Sequence, residues 1–198
     1  MDVFTRKPQA IIAAVPPITS ELGVDAKAGV EERSQALIRG IEHIAPTHVL
    51  WLPSSTLKQV IEHVERRAGE GAYVSLPLTR EEEGIGIAGG LTLGGAKPLL
   101  IVQDNGIGNA LTALTTFAQP YHLPMLLIVS QRGGLNEYNS MIHTLCERVD
   151  DIVDASDLRF FKLDERVPTE RWATTVAAAW EHAQMTHRPV LLLCNLLY

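Results

Sequence analysis

The chain has 198 residues, a net charge of −6 and a mean hydropathy of +0.07. That is enough chain for the full core of one ordinary domain, and no apolar run approaches the ~20 residues of a membrane span. The mild, dispersed acidity lacks the basic footprint of a nucleic-acid binder, and the two cysteines, Cys146 and Cys194, fit neither a metal spacing nor a disulfide framework. The expectation is a soluble, cytoplasmic protein with reduced thiols and no nucleic-acid or membrane partner.

Residues 1–27 carry prolines and mixed polarity and read as an irregular lead-in; residues 28–198 read as one domain. The apolar piece at 10–15 is too short for the core of a secretion signal and runs into Pro16-Pro17. From Gly29, Val30, Leu37, Ile38, Ile41 and Ile44 recur at helical spacing. A short apolar run at 47–52 has strand length, and Ser54 or Ser55 is placed to cap a helix over 56–68 with Leu57, Val60, Ile61 and Val64 inward. A turn at 69–71 and a second strand at 73–76 lead to a helix over 80–93, closed by Gly94-Gly95.

Residues 98–103 are a third strand, apolar almost throughout, as suits a parallel strand covered on both faces. A turn at 104–109 opens a helix to about 119, and a fourth strand covers 124–130. A polar loop at 131–139, a helix near 140–149 and a strand near 158–163 come next. A long helix over 168–185 has Trp172, Val176, Ala179, Trp180 and Ala183 inward, and residues 189–194 are the last strand. Strands alternating with helices predict an α/β fold: an open, mostly parallel sheet with helices on both faces. Ligands of such sheets bind beyond the carboxyl ends of the strands, which singles out the loops at 53–56, 77–83, 104–109 and 131–139.

Each loop has two readings. Thr79-x-x-Glu82 fits a capping box, and Glu81-Glu82-Glu83 suits the positive end of a helix dipole. The alternative is that one of the three carboxylates faces a ligand, because Gly84, Gly86, Ala88, Gly89 and Gly90 leave no bulk beside it. Gly106-x-Gly108 lets backbone amides meet an anion or a ring, or only solves a tight turn. It is neither the dinucleotide fingerprint nor a P-loop. Arg132, after the fourth strand, is either a bidentate anion ligand or a solvated surface residue. The seven histidines form no metal-binding pattern, and no Gly-x-Ser-x-Gly elbow supports serine hydrolase chemistry. No metal site is expected in this chain.

Four stretches together carry a resemblance: Leu52-Pro53-Ser54-Ser55-Thr56-Leu57, Leu78-Thr79-Arg80-Glu81-Glu82-Glu83-Gly84-Ile85-Gly86-Ile87, Gln103-Asp104-Asn105-Gly106-Ile107-Gly108-Asn109 and Ser130-Gln131-Arg132-Gly133. In this order they resemble the pyrimidine-binding (PYR) domain of thiamine diphosphate enzymes, most like the sulfopyruvate decarboxylase alpha subunit, with phosphonopyruvate decarboxylase next. The resemblance implies the thiamine diphosphate-binding PYR-domain fold and decarboxylation of a small 2-oxo acid, sulfopyruvate-like, to an aldehyde and CO2.

It also implies a glutamate that shares a proton with N1' of the cofactor's aminopyrimidine; two residues before Gly84, the match is Glu82. Gly106, Gly108 and Asn109 are the further cofactor-side residues it implies, with Ser54, Ser55 and Arg132 toward substrate. Such a carboxyl needs a raised pKa, which burial beside Ile85, Ile87 and the glycine surface would supply. Gln131 stands where the family's Ser-His-Arg-Gly has histidine, and Asp104-Asn105 where it has Asn-Ser. These enzymes hold the diphosphate and Mg2+ through a Gly-Asp-Gly motif that this chain lacks. A beta subunit is therefore expected to carry them, in an α2β2 or larger assembly. The alternatives are phosphonopyruvate decarboxylation or carboligation on the same scaffold, and a non-catalytic PYR-like scaffold or regulatory subunit.

Overall fold

The apolar runs MLLIVS and PVLLLC are buried from end to end and PLLIVQ up to its last residue, which requires cover on both faces. A computed structural model describes residues 20–197 other than 135, 136, 138 and 140, with side chains from residue 29 onward. The elements are α1 (Ser20–Ile44), β1 (His48–Trp51), α2 (Lys58–Gly69), β2 (Val74–Pro77), α3 (Glu81–Leu93), β3 (Pro98–Gln103), α4 (Ile107–Ala113), β4 (Met125–Ser130), α5 (His143–Cys146), α6 (Val149–Ala155), β5 (Arg159–Leu163), α7 (Trp172–Thr186) and β6 (Pro189–Cys194). Residues 1–19 of the expected lead-in lie outside the described residues, as do 135, 136 and 138 of the polar loop and residue 140 at the start of the helix expected over 140–149. α1 is helical from Ser20, ahead of Gly29, where the spacing becomes readable.

The strands form one sheet in the order β2-β1-β3-β4-β6-β5, every pair parallel. Alternate side chains face opposite layers. Val49, Leu99, Ile101, Leu126, Ile128, Val190 and Leu192 pack beneath α1, α2 and α7. Leu50, Leu100, Val102, Leu127, Val129, Leu191 and Leu193 pack beneath α3, α4 and α6. The inward faces read from sequence for α2 and α7 are all buried. The chain runs from β1 outward to β2, then returns past β1 to β3. The order therefore reverses between β1 and β3, which leaves a crevice at their carboxyl ends.

Three local readings change. α2 starts at Lys58, and its N-cap, Leu57, has no side-chain cap bond. The helix expected at 140–149 is two short helices, α5 and α6. The run after β3 is not one regular helix: a 3-10 turn (Asp104–Gly106) precedes α4 and a π-helix (Leu114–Ala118) follows it.

α1 and α7 touch at Gly40. A Cβ there would lie 2.6 Å from Val176 Cβ, inside any real contact. Overpacking of this kind costs about 1–3 kcal/mol. Gly40→Ala is expected to lower the melting temperature by roughly 3–10 °C, and to cost much less in a Val176→Gly background, which removes the Cβ it would strike. Equal losses in both backgrounds would show that the two helices do not meet at this residue.

Candidate active site

Consecutive residues on a helix point about 100° apart, so Glu81, Glu82 and Glu83 at the start of α3 address three different surroundings. Glu83 Oε2 accepts the Thr79 backbone N–H at 3.1 Å and the Thr79 hydroxyl at 2.7 Å. Those bonds hold its carboxyl below the usual range, the Thr79 hydroxyl first. The N-cap is Arg80, in extended backbone without a side-chain cap bond. The capping role expected of Glu82 therefore belongs to Glu83.

Glu82 is partly exposed, as Glu81 is. Its Oε1 accepts from Arg80 Nη1 at 2.9 Å, while its Oε2 is buried without a partner among the described residues. Its own backbone N–H, then the Arg80 guanidinium, holds this carboxyl below the ordinary range. That is opposite to the raised value expected from sequence. Ile85 is sealed in the core and Ile87 is exposed.

Glu81 reaches the turn after β3. Asn109 Nδ2 donates to its Oε2 at 2.9 Å. Its carboxyl lies against Gly106, where an added Cβ would be 2.1 Å from Oε1 and 2.3 Å from Cδ. Gly106 is thus glycine to admit Glu81. Gly108 is exposed, with a Cβ there 3.0 Å from Leu145.

The glycines of α3 also divide. Side chains at Gly84 and Gly89 would strike Leu78 and Phe117 at 2.5 and 2.4 Å, so packing accounts for both. Gly86 and Gly90 face open space and leave a bare strip on the exposed side of the helix.

The loops after β1 and β4 meet through hydroxyls. Ser54 Oγ lies 3.1 Å from Thr56 Oγ1 and 3.4 Å from Ser130 Oγ, all three side chains buried. Ser54 is therefore a loop tie rather than the α2 cap. Ser54 and Ser55 line a shallow cavity of about 300 Å³ with Trp51, Pro53 and Lys58. The parity of Ser130 at the end of a buried strand was readable in the sequence; its meeting with Ser54 was not.

Asp104 ties the β3 turn to the β4 loop. It is fully buried and accepts from Arg132 N at 2.6 Å, Asn105 N at 2.8 Å and Cys146 Sγ at 3.0 Å. Burial pushes its carboxyl up against those three donors, and burial, then Asp104, pushes the Cys146 thiol up. Arg132 is neither solvated nor turned out toward an anion in solution. Its guanidinium forms a bidentate pair with Glu137, Nε–Oε2 at 2.8 Å and Nη2–Oε1 at 2.6 Å. Gly133 folds against this corner at φ +81°, with Cys146 Cβ 2.7 Å from where its own Cβ would be. Gln131 donates to Asp150 Oδ1 at 2.8 Å, beside Lys162 on Oδ2. Among the described residues no cluster of three or more His, Cys, Asp or Glu is placed to hold a metal ion.

A parallel sheet with a carboxylate and a hydroxyl group flanking its switch point is a binding scaffold of the doubly wound α/β class. Comparisons narrow this. The chain is 29% identical over 165 residues to the sulfopyruvate decarboxylase subunit alpha of Methanococcus maripaludis, covering 83% of this chain and 95% of that protein. It is 32% identical over 107 residues to the Methanothermobacter thermautotrophicus subunit, 54% of this chain and 63% of that one. A phosphonopyruvate decarboxylase of Streptomyces viridochromogenes is 29% identical over 77% of this chain, which spans only 37% of it. The resemblance carried by the four stretches therefore holds, in the order stated: sulfopyruvate decarboxylase alpha subunits, then phosphonopyruvate decarboxylase. No family model matches the chain. Among solved structures, a 2-oxoglutarate:ferredoxin oxidoreductase from Magnetococcus marinus superposes with a TM-score of 0.61 at 15% identity, over 86% of this chain and 29% of that one. That likeness concerns the fold alone.

The Arg132–Glu137 pair has a pH signature. Burial alone would raise the Glu137 carboxyl, but the Arg132 guanidinium holds it below the ordinary range. A lowered folded value means its contribution is complete above the unfolded value and lost as pH falls through the folded one. The melting temperature of the native chain should therefore fall more steeply on acidification than that of Glu137→Gln. Parallel pH–melting curves would contradict the pairing.

Proposed function

We propose that this chain is the alpha subunit of a two-chain thiamine diphosphate-dependent 2-oxo acid decarboxylase. Similarity to a decarboxylase alpha subunit along 95% of that subunit's length supports the class. The beta subunit would hold the diphosphate and Mg2+: the relatives are named alpha subunits, and the Gly-Asp-Gly motif that the resemblance ties to the diphosphate does not occur in these 198 residues. The minimum assembly is α2β2. The residues present fit the aminopyrimidine half of the cofactor: a carboxyl beside the switch-point crevice and a helix face kept bare at Gly86 and Gly90. When bound, the cofactor supplies an electron sink that lets CO2 leave.

The chain's own part is proton handling, and Glu82, the match to the family's proton-sharing glutamate, is the carboxyl for it. Its Oε2 is buried without a hydrogen-bond partner among the described residues, and a buried oxygen left unpaired is a place for a donor from a ligand. This oxygen carries the assignment. The Arg80 ion pair on Oε1 is a surface contact, of the kind that contributes little, and it leaves Oε2 available. Glu82 would hold the proton shared with the cofactor's ring nitrogen. Ser54 and Ser55 would meet the substrate from the β1 loop, and Arg132 would shape the β4 loop through Glu137. The substrate is a small 2-oxo acid with a second anionic group, sulfopyruvate-like. Phosphonopyruvate makes the same demands on Glu82, and side-by-side assays of the two acids distinguish them.

General acid–base groups contribute typically 10²–10⁴-fold. In the complex assembled with its partner chain, Glu82→Gln is expected to lower kcat by about 10²–10⁴-fold, while Glu81→Gln stays within a few-fold of the native rate. The reverse pattern would move the role to Glu81, and full activity of both variants would remove the mechanism from this helix.

A further inference from the structure

An anionic group is costly to take out of water unless a cation meets it. The loops that flank the crevice, at 53–58, 77–83, 104–109 and 131–139, contain three cations: Lys58, Arg80 and Arg132. We infer that Lys58, at the start of α2, is a specificity-determining residue that meets the second anionic group of the substrate, a sulfonate or phosphonate. The inference rests on the proposed function for the reaction and adds which residue of this chain selects the acid.

The other cations are committed elsewhere. Arg132 is buried and directs Nε and Nη2 to the Glu137 carboxylate. Arg80 donates to Glu82, so an anion held by Arg80 would stand beside the Glu82 carboxyl, and like charges at that range repel. At the β5 end, Lys162 and Arg166 are held by Asp150 and Asp164, at the edge of the sheet away from the crevice between β1 and β3.

Lys58 differs from all of these. Its ion-pair partner among the described residues is Glu62, one helical turn on, at 3.7 Å and beyond hydrogen-bond length. The two side chains are 72% and 61% exposed. Exposed pairs of this kind contribute little, so an incoming anion displaces Glu62 at small cost.

The fold brings this lysine to the crevice. Ser54 Oγ, on the loop after β1, lies 3.4 Å from Ser130 Oγ at the end of β4. β3 lies between those two strands, so the loop crosses the carboxyl end of β3 to make that contact. Lys58 follows on the same loop and shares the cavity of about 300 Å³ with Ser54 and Ser55. Ser55 is exposed, and the α2 N-cap makes no side-chain bond. A hydroxyl and the first backbone N–H groups of α2 therefore stand beside the ammonium as further donors. Such a subsite adds attraction for an acid with two anionic groups and none for pyruvate, which has one.

The test uses the complex assembled with its partner chain. Lys58→Met keeps the alkyl stem and removes the charge. It is expected to raise KM for sulfopyruvate about 10–100-fold, with kcat within about three-fold. Lys58→Arg should retain most of the native KM. Calorimetry with sulfopropionate and propionate, which lack the reacting ketone, reads the subsite without turnover. The native complex should bind sulfopropionate at least about ten-fold more tightly than propionate, and Lys58→Met should lose that difference.

Equal losses toward sulfopropionate and propionate, or none toward either, would overturn the assignment and leave Lys58 a solvated surface residue. Glu82-dependent decarboxylation with a KM indifferent to Lys58 would keep the proposed function and remove the subsite. Lys58-dependent binding of sulfopropionate, in a complex that decarboxylates neither sulfopyruvate nor phosphonopyruvate, would keep the subsite and end the proposed function.

Discussion

Parallel pairing is the constraint from which the rest of this structure follows. Each strand must be reached by a crossover outside the sheet, so helices cover both faces and every carboxyl-terminal loop gathers along one edge. Six such strands in the order β2-β1-β3-β4-β6-β5 bring four polar loops together and leave a crevice where the order reverses. Segments from widely separated parts of the sequence then touch without any of them being specialised for the contact. Ser54 meets Ser130, Asp104 meets Arg132 and Cys146, and Glu81 meets Gly106 and Asn109.

At this edge the chemistry is decided by direction more than by composition. Three adjacent glutamates have the same side chain and nearly the same distance from the helix end, yet one caps, one pairs with arginine and one crosses to the next loop. The helix twist separates them, and the close approach of α3 to the β3 turn selects which of them reaches that loop. Asp104 shows the same logic at the neighbouring corner. A buried carboxylate there is tolerable only because three donors converge on it from two loops and a helix.

Much of the fold was legible in the sequence because the signals were local. β3 and β6 announce themselves as apolar runs bounded by proline, and their ends agree with the structure. The inner faces of α2 and α7 follow from helical spacing. The π-helix at Leu114–Ala118 carries no such signal. At the site, the acidic turn and the glycine turns lie at the carboxyl ends of strands, as their spacing implied, but the side chains they meet come from distant segments. A capping box one residue out of register looks the same as one in register. Gly84 and Gly89 are small because Leu78 and Phe117 press on them, and those neighbours come from elsewhere in the chain. Which of the three glutamates reaches Asn109 depends on which face of α3 meets the β3 turn, which no spacing rule contains.

The most direct measurement is a structure of the chain with its partner subunit and thiamine diphosphate bound. The account predicts a Glu82 carboxyl oxygen within hydrogen-bond reach of the aminopyrimidine N1', about 2.6–3.2 Å, with Glu81 still on Asn109 and Glu83 still on Thr79. N1' bonded to Glu81, or an aminopyrimidine bound away from α3, would contradict it.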